Sequence, residues 1–529
     1  MSNNKATPRI SIIGAGPGGL AAAMLLAHAG ADVVIHERLD RVGGRSATIV
    51  ADSDVGQFRF DMGPTFFLYP RVLEDVFRSC GMNLADEVEM VRLDPQYRLS
   101  FESGGQIDST SDPERLAAEV ARFSPEDALA LPRFMADNRR KLEAFRPVFE
   151  NEFESPFALL RPDMLRALPL LRPHRTLDGD LSSYFSNPLI RLAFSFQSKY
   201  LGMSPFKCPS LFSILAFMEY EFGVWHPTGG CGAVMVAMAR AARRLGVSIE
   251  LGAPVEKILF DGRRATGVRV GGVDRPCDAV VVNADFAHSM KSLVPDALRR
   301  RWTDKKIDRK EYSCSTFMLY LGIEGNLPDI AHHTIHLSRD YRRNIAEIEA
   351  GGLPPSEPSF YVQNASVTDS TLAPAGHSTV YVLVPVGNNG NGKTATQYDW
   401  ATQQESYRNL TLDRLAQIGI PDIRQRIRYE KVLTPVGWEQ DMSIHRGATF
   451  NLAHSINQML HMRPRNRFED LGGVYLVGGG THPGSGLPVI FESARITSRL
   501  LAEDLGLQPD WNISMSMPAD RESELMAAQ

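Results

Sequence analysis

Two segments of the chain show the same succession of apolar strand and helix-forming stretch. Residues 9–13 are typical of a buried strand, residues 20–28 are rich in helix formers, and residues 31–37 form a second apolar strand that ends at an acid. Near the C-terminus, a strand at 473–477 and a helix at 492–503 repeat the order. The pattern predicts an α/β fold.

The pattern changes between these segments. Residues 70–150 look helical and charged, whereas residues 300–440 hold further strands. Residues 255–270 are typical of a hairpin, and residues 279–285 of a buried strand that leaves at a turn. The first domain is therefore expected to resume after an insertion.

The composition narrows the class of protein. The chain has 529 residues, 43% hydrophobic and 22% charged, and a formal net charge of −5, so nucleic acid is not expected as a partner. Its five cysteines are too far apart for a zinc site or a disulfide scaffold, so we expect no metal and a reducing, cytoplasmic setting. We expect neither a signal peptide nor a membrane-spanning helix, because no apolar run is long enough.

The loop after the first strand carries the clearest chemistry. It reads Gly14-Ala15-Gly16-Pro17-Gly18-Gly19. Gly14 allows a tight turn, Gly16 lets the backbone approach a pyrophosphate, and Gly19 lets the helix pack closely on the strand. Glu37 can accept hydrogen bonds from ribose hydroxyls. These residues and Gly18 predict a dinucleotide site, and a plain glycine turn is the alternative.

A second glycine turn follows at once. Arg38 comes directly after Glu37, and Gly43, Gly44 and Arg45 come shortly after it. The glycines permit close backbone approach to the same pyrophosphate, and arginine can pair with phosphate oxygens. A loop with solvated arginines is the alternative. The turn resembles the FAD-binding amine oxidase and carotenoid desaturase superfamily, which favours FAD over NAD.

Further motifs follow in order along the chain. They are D-M-G-P-T, H-P-T-G-G, V-E-K-I, V-V-N-A-D and Y-L-V-G-G-G-T-H-P-G-S-G-L-P. Together with the first two, they resemble the bacterial phytoene desaturase family of carotenoid synthesis, from about residue 8 to residue 505. From these motifs we expect further FAD contacts at Gly63, Pro64, Thr65, Val255, Gly479, Gly480 and Thr481.

The resemblance implies a flavoprotein that dehydrogenates a linear isoprenoid or carotenoid precursor. It also implies peripheral attachment to the inner face of the cell membrane and reoxidation by a quinone or oxygen. Carotenoid terminal-methyl oxidases and isomerases are close relatives. A flavin amine oxidase and a non-catalytic carotenoid carrier are more distant alternatives.

Two apolar stretches suggest how such a substrate is handled. Residues 153–178 mix apolar side chains with arginines, as a membrane-contact segment does, although a cap over the core explains them equally well. Residues 190–226 are rich in aromatic side chains, which can line a long apolar cavity or simply pack the core.

Catalytic residues are harder to assign. His482 and Glu492 are candidates for proton handling, but packing of the loop and capping of the helix are the commoner uses of such residues. The bulky run Val489-Ile490-Phe491 stands where the C40 enzymes of the family are expected to carry small residues. It favours a shorter, C30 substrate such as diapophytoene over C40 phytoene.

The expected architecture is a Rossmann-like FAD-binding domain interleaved with a mixed-sheet substrate domain and a helical membrane-contact cap. The expected FAD-binding parts are 1–70, 226–295 and 441–510. The expected substrate and membrane-contact region is 71–225, the mixed-sheet substrate domain is 296–440, and 511–529 is a tail.

Overall fold

The computed structural model describes residues 7–390, 398–509 and Trp511. Its strands are β1 Arg9–Ile13, β2 Asp32–His36, β3 Thr48–Ser53, β4 Gly56–Asp61, β5 Phe67–Leu68, β6 Met90–Arg92, β7 Tyr97–Phe101, β8 Gln106–Ser109, β9 Val224–Pro227, β10 Ser248–Glu250, β11 Val255–Asp261, β12 Arg264–Val270, β13 Val273–Pro276, β14 Ala279–Val282, β15 Ser315–Glu324, β16 His333–Leu337, β17 Phe360–Gln363, β18 His377–Val386, β19 Ile427–Leu433 and β20 Val474–Leu476.

Its α-helices are α1 Pro17–His28, α2 Arg71–Ser79, α3 Pro113–Ala121, α4 Pro125–Phe149, α5 Pro162–Leu171, α6 Leu177–Leu181, α7 Pro188–Ala193, α8 Ser213–Phe222, α9 Cys231–Arg244, α10 Phe286–Leu293, α11 Asp304–Asp308, α12 Tyr341–Ala350, α13 Trp400–Leu415, α14 Ile423–Arg426, α15 Pro435–Gln440 and α16 Leu487–Leu505.

A five-stranded parallel sheet lies at the centre of the first domain. Its order is β10-β2-β1-β14-β20, so strands from both ends of the chain meet in one sheet. In β14, Val281 faces the helices α1, α9 and α16, and Val280 and Val282 face the β11–β13 meander and α10. Burial on both faces explains the uninterrupted apolar strands. The expected α/β, Rossmann-like fold is confirmed.

A seven-stranded mixed sheet forms the second large element. Its order is β19-β15-β18-β17-β16-β7-β8, and only the β16–β7 pair is parallel. The expectation that residues 70–150 are helical is wrong in part, because β6, β7 and β8 lie in that segment. Buried and half-buried side chains alternate along Tyr97–Phe101, and this period of two is the signature of a strand.

Helices α3, α4, α6, α7 and α8 lie beside the mixed sheet and share one apolar cluster with β7 and β16. Helix α5 packs through Met164 in a separate small cluster with Val148 and Phe153. Helix α2, just beyond the expected boundary at residue 70, packs instead in the apolar cluster of α1 and α16. Among the described residues, no helix combines the length and the apolar character needed to cross a bilayer.

Candidate functional site

A cavity of about 850 Å³ lies between the parallel sheet and the mixed sheet. The residues at the carboxyl ends of β1, β2, β14 and β20 line it, which is where α/β sheets bind nucleotides. We call one set of its lining residues the nucleotide part: Gly14, Gly16, Glu37, Gly44 and Arg45. We call another set the aromatic part: Phe66, Phe196, Tyr200, Phe212 and Phe222.

The first glycine turn is locked by close backbone contacts. Gly14 has a φ of +97°, and a Cβ there would lie 2.6 Å from the Asn283 carbonyl oxygen. A Cβ on Gly19 would lie 2.2 Å from the Gly14 oxygen. The Asn283 amide donates to that same Gly14 oxygen over 3.0 Å. Only glycine fits these positions, so the turn keeps its backbone open toward the cavity.

The second glycine turn lies against the first. The Gly43 amide donates to the Ala15 oxygen over 2.8 Å, and a Cβ on Gly44 would lie 3.6 Å from the Gly16 Cα. The buried Glu37 carboxylate accepts from the Ala15 amide at 2.7 Å and so joins strand β2 to the first turn. The paired turns form a cradle without side chains, which fits the pyrophosphate of FAD.

Two arginines connect this cradle to the segment 441–449. Arg38 donates to the Asp441 oxygen over 2.5 Å, and Arg45 donates to the Thr449 oxygen over 2.7 Å. Burial lowers the pKa of Arg45, while Asp285 opposes this shift. Each guanidinium keeps further N–H groups that can reach a phosphate.

The expected site residues divide into two groups. The cavity is lined by Gly14, Gly16, Glu37, Arg38, Gly44, Arg45, Gly63, Pro64, Thr65, Val255, Gly479, His482 and Glu492. The others lie behind its wall: Gly18, Gly19, Gly43, Gly480 and Thr481. Their close packing explains this, since a Cβ on Gly480 would lie 2.6 Å from Phe286, and the Thr481 hydroxyl donates to the Pro464 oxygen.

A buried arginine, to which the sequence analysis gave no role, holds the last glycine loop. Arg463 is fully buried and donates to the Gly479 oxygen over 2.7 Å and to the Thr481 oxygen over 3.1 Å. Desolvation lowers its pKa to about 9. Arg463 lies outside the glycine motifs, and its isolated position in the sequence gave no signal of this contact.

His454 also lines the cavity and carries no sequence motif. The Ser485 amide donates to its Nε2 over 3.0 Å, which leaves the proton of the neutral ring on Nδ1. Burial lowers the pKa of this histidine well below its usual value. The Nδ1 atom is buried without a partner among the described residues. His454 therefore offers a fixed hydrogen-bond donor beside the last loop.

Of the two catalytic candidates, His482 is held in place by the backbone. Its Nε2 contacts the Asn151 oxygen at 2.9 Å, and burial lowers its pKa to about 4. Glu492 is not a helix cap, because α16 begins earlier, at Leu487. It lies inside the helix and pairs with Arg495 at 2.8 Å, and burial raises its pKa to about 7.

The bulky run at the start of α16 divides between wall and core. Val489 and Ile490 line the cavity. Phe491 is turned away and is 1% exposed, in the apolar cluster of α1 and β1. The expected effect of Phe491 on substrate length therefore has no direct basis in the cavity wall, and only Val489 and Ile490 can exert it.

Comparisons with known proteins agree with this geometry. The model of the flavin containing amine oxidoreductase family matches residues 17–502. The chain is 42% identical to a 4,4'-diapophytoene desaturase (4,4'-diapolycopene-forming) of Methylomonas sp, over 95% of this chain and 96% of that protein. It is 39% identical to the all-trans-zeta-carotene desaturase of Myxococcus xanthus, over 98% of each.

A crystal structure of an oxidoreductase from Methanosarcina mazei has a TM-score of 0.61 at 18% identity, over 94% of this chain and 100% of that one. It supports the fold alone. The family match and the two relatives confirm the expected FAD cofactor and the expected oxidoreductase class. The chain belongs to the flavin containing amine oxidoreductase family and, within it, to the carotenoid desaturases.

Proposed function

We propose that this protein catalyses the FAD-dependent desaturation of a linear isoprenoid hydrocarbon in carotenoid biosynthesis, with C30 diapophytoene preferred over C40 phytoene. One observation carries the proposal: a single cavity is lined by both the glycine cradle and the aromatic part. A hydrocarbon in the aromatic part therefore lies in the space that the flavin shares. The names of the two desaturase relatives agree with the desaturation, and the name of the Methylomonas protein also agrees with the preference for diapophytoene.

The reaction removes two hydrogens from a CH2–CH2 unit next to a double bond. When bound, FAD supplies the acceptor for one hydrogen with its electron pair. The protein orients the chain and excludes water. A hydrocarbon offers no polar group, so its binding rests on apolar burial at about 25 cal/mol per Å². The side chains of the aromatic part provide that surface.

We also propose that the expected FAD residues act in two layers. Those that line the cavity contact the cofactor, with Glu37 at the ribose and Arg38 and Arg45 at the phosphates. Those behind the wall, such as Gly19 and Gly480, let the contacting loops come close. A quinone or oxygen takes the electrons afterwards.

Anaerobic reduction of the purified FAD-loaded protein tests the activity. We expect 4,4'-diapophytoene in detergent micelles to bleach the flavin absorbance, and phytoene to do so more slowly. Putrescine and cyclohexylamine serve as polar controls and should leave the spectrum unchanged. Bleaching by the amines alone would favour the amine oxidase alternative, and bleaching by neither class would favour the carrier.

We propose in addition that the segment 156–171 contacts the inner face of the cell membrane. Phe157 is 76% exposed and Leu160 is 65% exposed, and Leu165 and Leu168 of α5 are also exposed. Met164, Ala167 and Leu171 of the same helix are buried. A helix that is apolar on both its inner and its outer face fits a lipid surface better than water.

Flotation with anionic liposomes tests this contact. We expect the wild type to float, and Leu165→Asp with Phe157→Asp to stay in solution. Arg161→Glu with Arg166→Glu should weaken flotation by removing attraction to lipid phosphates. Arg172 is unsuitable for this test, because it pairs with the buried Asp180 at 2.9 Å. A wild type that stays in solution would exclude the membrane contact.

A second candidate substrate class has its own observation. Lys199 lines the cavity, its side-chain ammonium makes no hydrogen bond or ion pair within the described part of the chain, and burial lowers its pKa. Tyr341 also lines the cavity, its hydroxyl is buried without a partner there, and both groups lie near Cys314. An isoprenoid with an oxygen at its end would satisfy both groups, which is what a terminal-methyl oxidase would bind.

Binding of a hydrocarbon and of its terminal aldehyde distinguishes the two classes. If the aldehyde is the substrate, Lys199→Met should weaken aldehyde binding at least tenfold. If the hydrocarbon is the substrate, Lys199→Met should strengthen hydrocarbon binding, because an unpaired charge leaves the wall. Dissociation constants from quenching of protein fluorescence provide the measurement.

A further inference from the structure

A line of polar side chains leads from the cavity wall to the surface. The Thr65 hydroxyl lies 2.8 Å from the Tyr361 hydroxyl, and both residues line the cavity. The Tyr361 hydroxyl lies 2.7 Å from Nδ1 of His333. Three groups that exchange protons readily are therefore in direct contact, and the first of them belongs to the expected flavin site.

The line continues through a second histidine. The rings of His333 and His332 meet edge to face, with centroids 4.4 Å apart. Nε2 of each ring is buried without a partner among the residues described. On its other side, His332 contacts the Thr368 hydroxyl over 2.8 Å through Nδ1, and Thr368 is exposed to solvent. The two Nε2 atoms are not hydrogen-bonded to each other, so the path needs a proton carrier, such as a water molecule, between them.

The surroundings favour neutral rings that can pass a proton. His332 and His333 are 5% and 0% exposed, and burial lowers the pKa of both well below the usual value. Phe66 stacks on His333 with centroids 4.1 Å apart and fixes its orientation. The Asp369 carboxylate, bound to His226 beside His332, can stabilise a brief positive charge on the line.

We propose that Thr65, Tyr361, His333 and His332 form a proton outlet from the cavity to the surface at Thr368. The inference rests on the proposed desaturation. Two C–H bonds break and one C=C bond forms; one hydrogen leaves with its electron pair to the flavin, and the other leaves as a proton. A proton released into an apolar cavity has a high free energy, so a route out is needed.

The tautomers make one passage possible without net change of charge. In the proposed resting state Tyr361 donates to Nδ1 of His333, and the His333 proton is then on Nε2. A proton arriving at Nδ1 releases the one on Nε2 toward Nε2 of His332. His332 then releases its Nδ1 proton through Thr368 to solvent. One proton enters, one leaves, and no electrons move along the line.

Simultaneous recording of flavin absorbance and of a pH indicator dye tests the outlet. During anaerobic reduction by 4,4'-diapophytoene, the wild type should release one proton per flavin in step with bleaching. In Tyr361→Phe and His333→Ala, proton release should be at least about tenfold slower. Added imidazole should restore the rate in His333→Ala by replacing the lost ring. FAD occupancy and melting temperature show whether each variant has folded.

His336→Gln is the matched control. His336 is a buried histidine on the same strand, β16, and also has an unpartnered Nε2, but it contacts Ser100 and lies off the line. Its proton release should equal that of the wild type. Equal rates in all variants, or equal losses in His336→Gln and His333→Ala without rescue by imidazole, would overturn the outlet alone. A wild type that no isoprenoid reduces would overturn both the outlet and the desaturation.

Discussion

The nucleotide part and the aromatic part of the cavity are built in different ways. The nucleotide part is mostly backbone, from turns that lie within the first 50 residues of the chain. The aromatic part is made of side chains from Phe66 to Phe222, which separate elements bring together. Backbone contacts set by glycine follow short-range rules, whereas a wall of side chains depends on how whole elements pack. The two parts should therefore respond differently to mutation.

The largest expected effect is at the nucleotide part. Gly16→Val places a side chain in the cradle, where its Cβ would lie 3.1 Å from the Asn283 amide nitrogen. We expect FAD occupancy below about a tenth of the wild-type value and a matching loss of activity. The flavin-to-protein absorbance ratio of the purified variant measures this. Gly472→Val should keep its FAD, because Gly472 is exposed and a Cβ there would lie 3.9 Å from the nearest atom, at ordinary contact distance. Full FAD occupancy in Gly16→Val would refute the assignment of the glycine cradle as the FAD site.

The next prediction concerns Arg463, which lies outside the glycine motifs but holds the last glycine loop. Arg463→Met leaves the buried carbonyl oxygens of Gly479 and Thr481 without their donor. We expect a loss of roughly 3 kcal/mol in the free energy of unfolding. Chemical denaturation measures it, and excess FAD should recover only part of the loss. Arg465→Met, at a half-buried arginine two residues along, is the control, and an equal loss there would refute a specific role for Arg463.

The next prediction concerns the pH dependence of folding stability, which involves a buried glutamate near the aromatic part. Burial raises the pKa of Glu219 to about 7, although Gln197 and Tyr97 donate to its carboxylate. The folded protein therefore binds this proton more tightly than the unfolded chain does. The stability from this group is complete below about pH 4.5 and is lost as pH rises toward 7.

Glu219→Gln should reduce the dependence of the free energy of unfolding on pH. We expect the variant to be more stable than the wild type by roughly 2 kcal/mol at pH 8.5, and not at pH 4.5. Denaturant midpoints at the two pH values provide the measurement. Glu221 lies on the same helix as Glu219 but pairs with Arg139. Glu221→Gln should therefore keep the wild-type change of stability with pH. An unchanged slope in Glu219→Gln would show that Glu219 stays ionised.

The smallest effect concerns substrate length. The wild type should convert C30 diapophytoene faster than C40 phytoene. Ile490→Ala should lower the ratio of these two rates several-fold, because a smaller side chain enlarges the cavity. Phe491→Leu should leave the ratio unchanged, because Phe491 faces the core. Competitive turnover of the two hydrocarbons, followed in the pigment spectra, measures this ratio for the wild type and both variants. Faster conversion of phytoene by the wild type would refute the length argument.

Part of the fold was predictable because its signals are local. The strands at Arg9–Ile13 and Val474–Leu476 were recognised from apolar runs next to glycine loops. The strands β7 and β8 were missed within a charged, mostly helical region, although Tyr97–Phe101 alternates with a period of two. A short alternating stretch is weak evidence on its own, and its pairing partner β16 lies more than 200 residues away.

The candidate site shows the same limit. The glycines, Glu37 and the two arginines could be named because their spacing along the chain already reflects their spacing in space. The contacts of Arg463, His454 and Tyr361 could not be predicted, since none of these residues lies in a motif of known spacing and each contact forms only when separate segments pack together.

The sequence by itself determined the class of cofactor and the family, because a glycine turn must carry its own conformational freedom at fixed positions. Tertiary structure alone decided which apolar side chains line the cavity. Neighbours at the start of α16 differ in this respect: Ile490 lines the cavity and Phe491 packs into the core. Apolar burial has no direction of its own, so the same residue types serve wall and core, and only the packing of distant elements separates them.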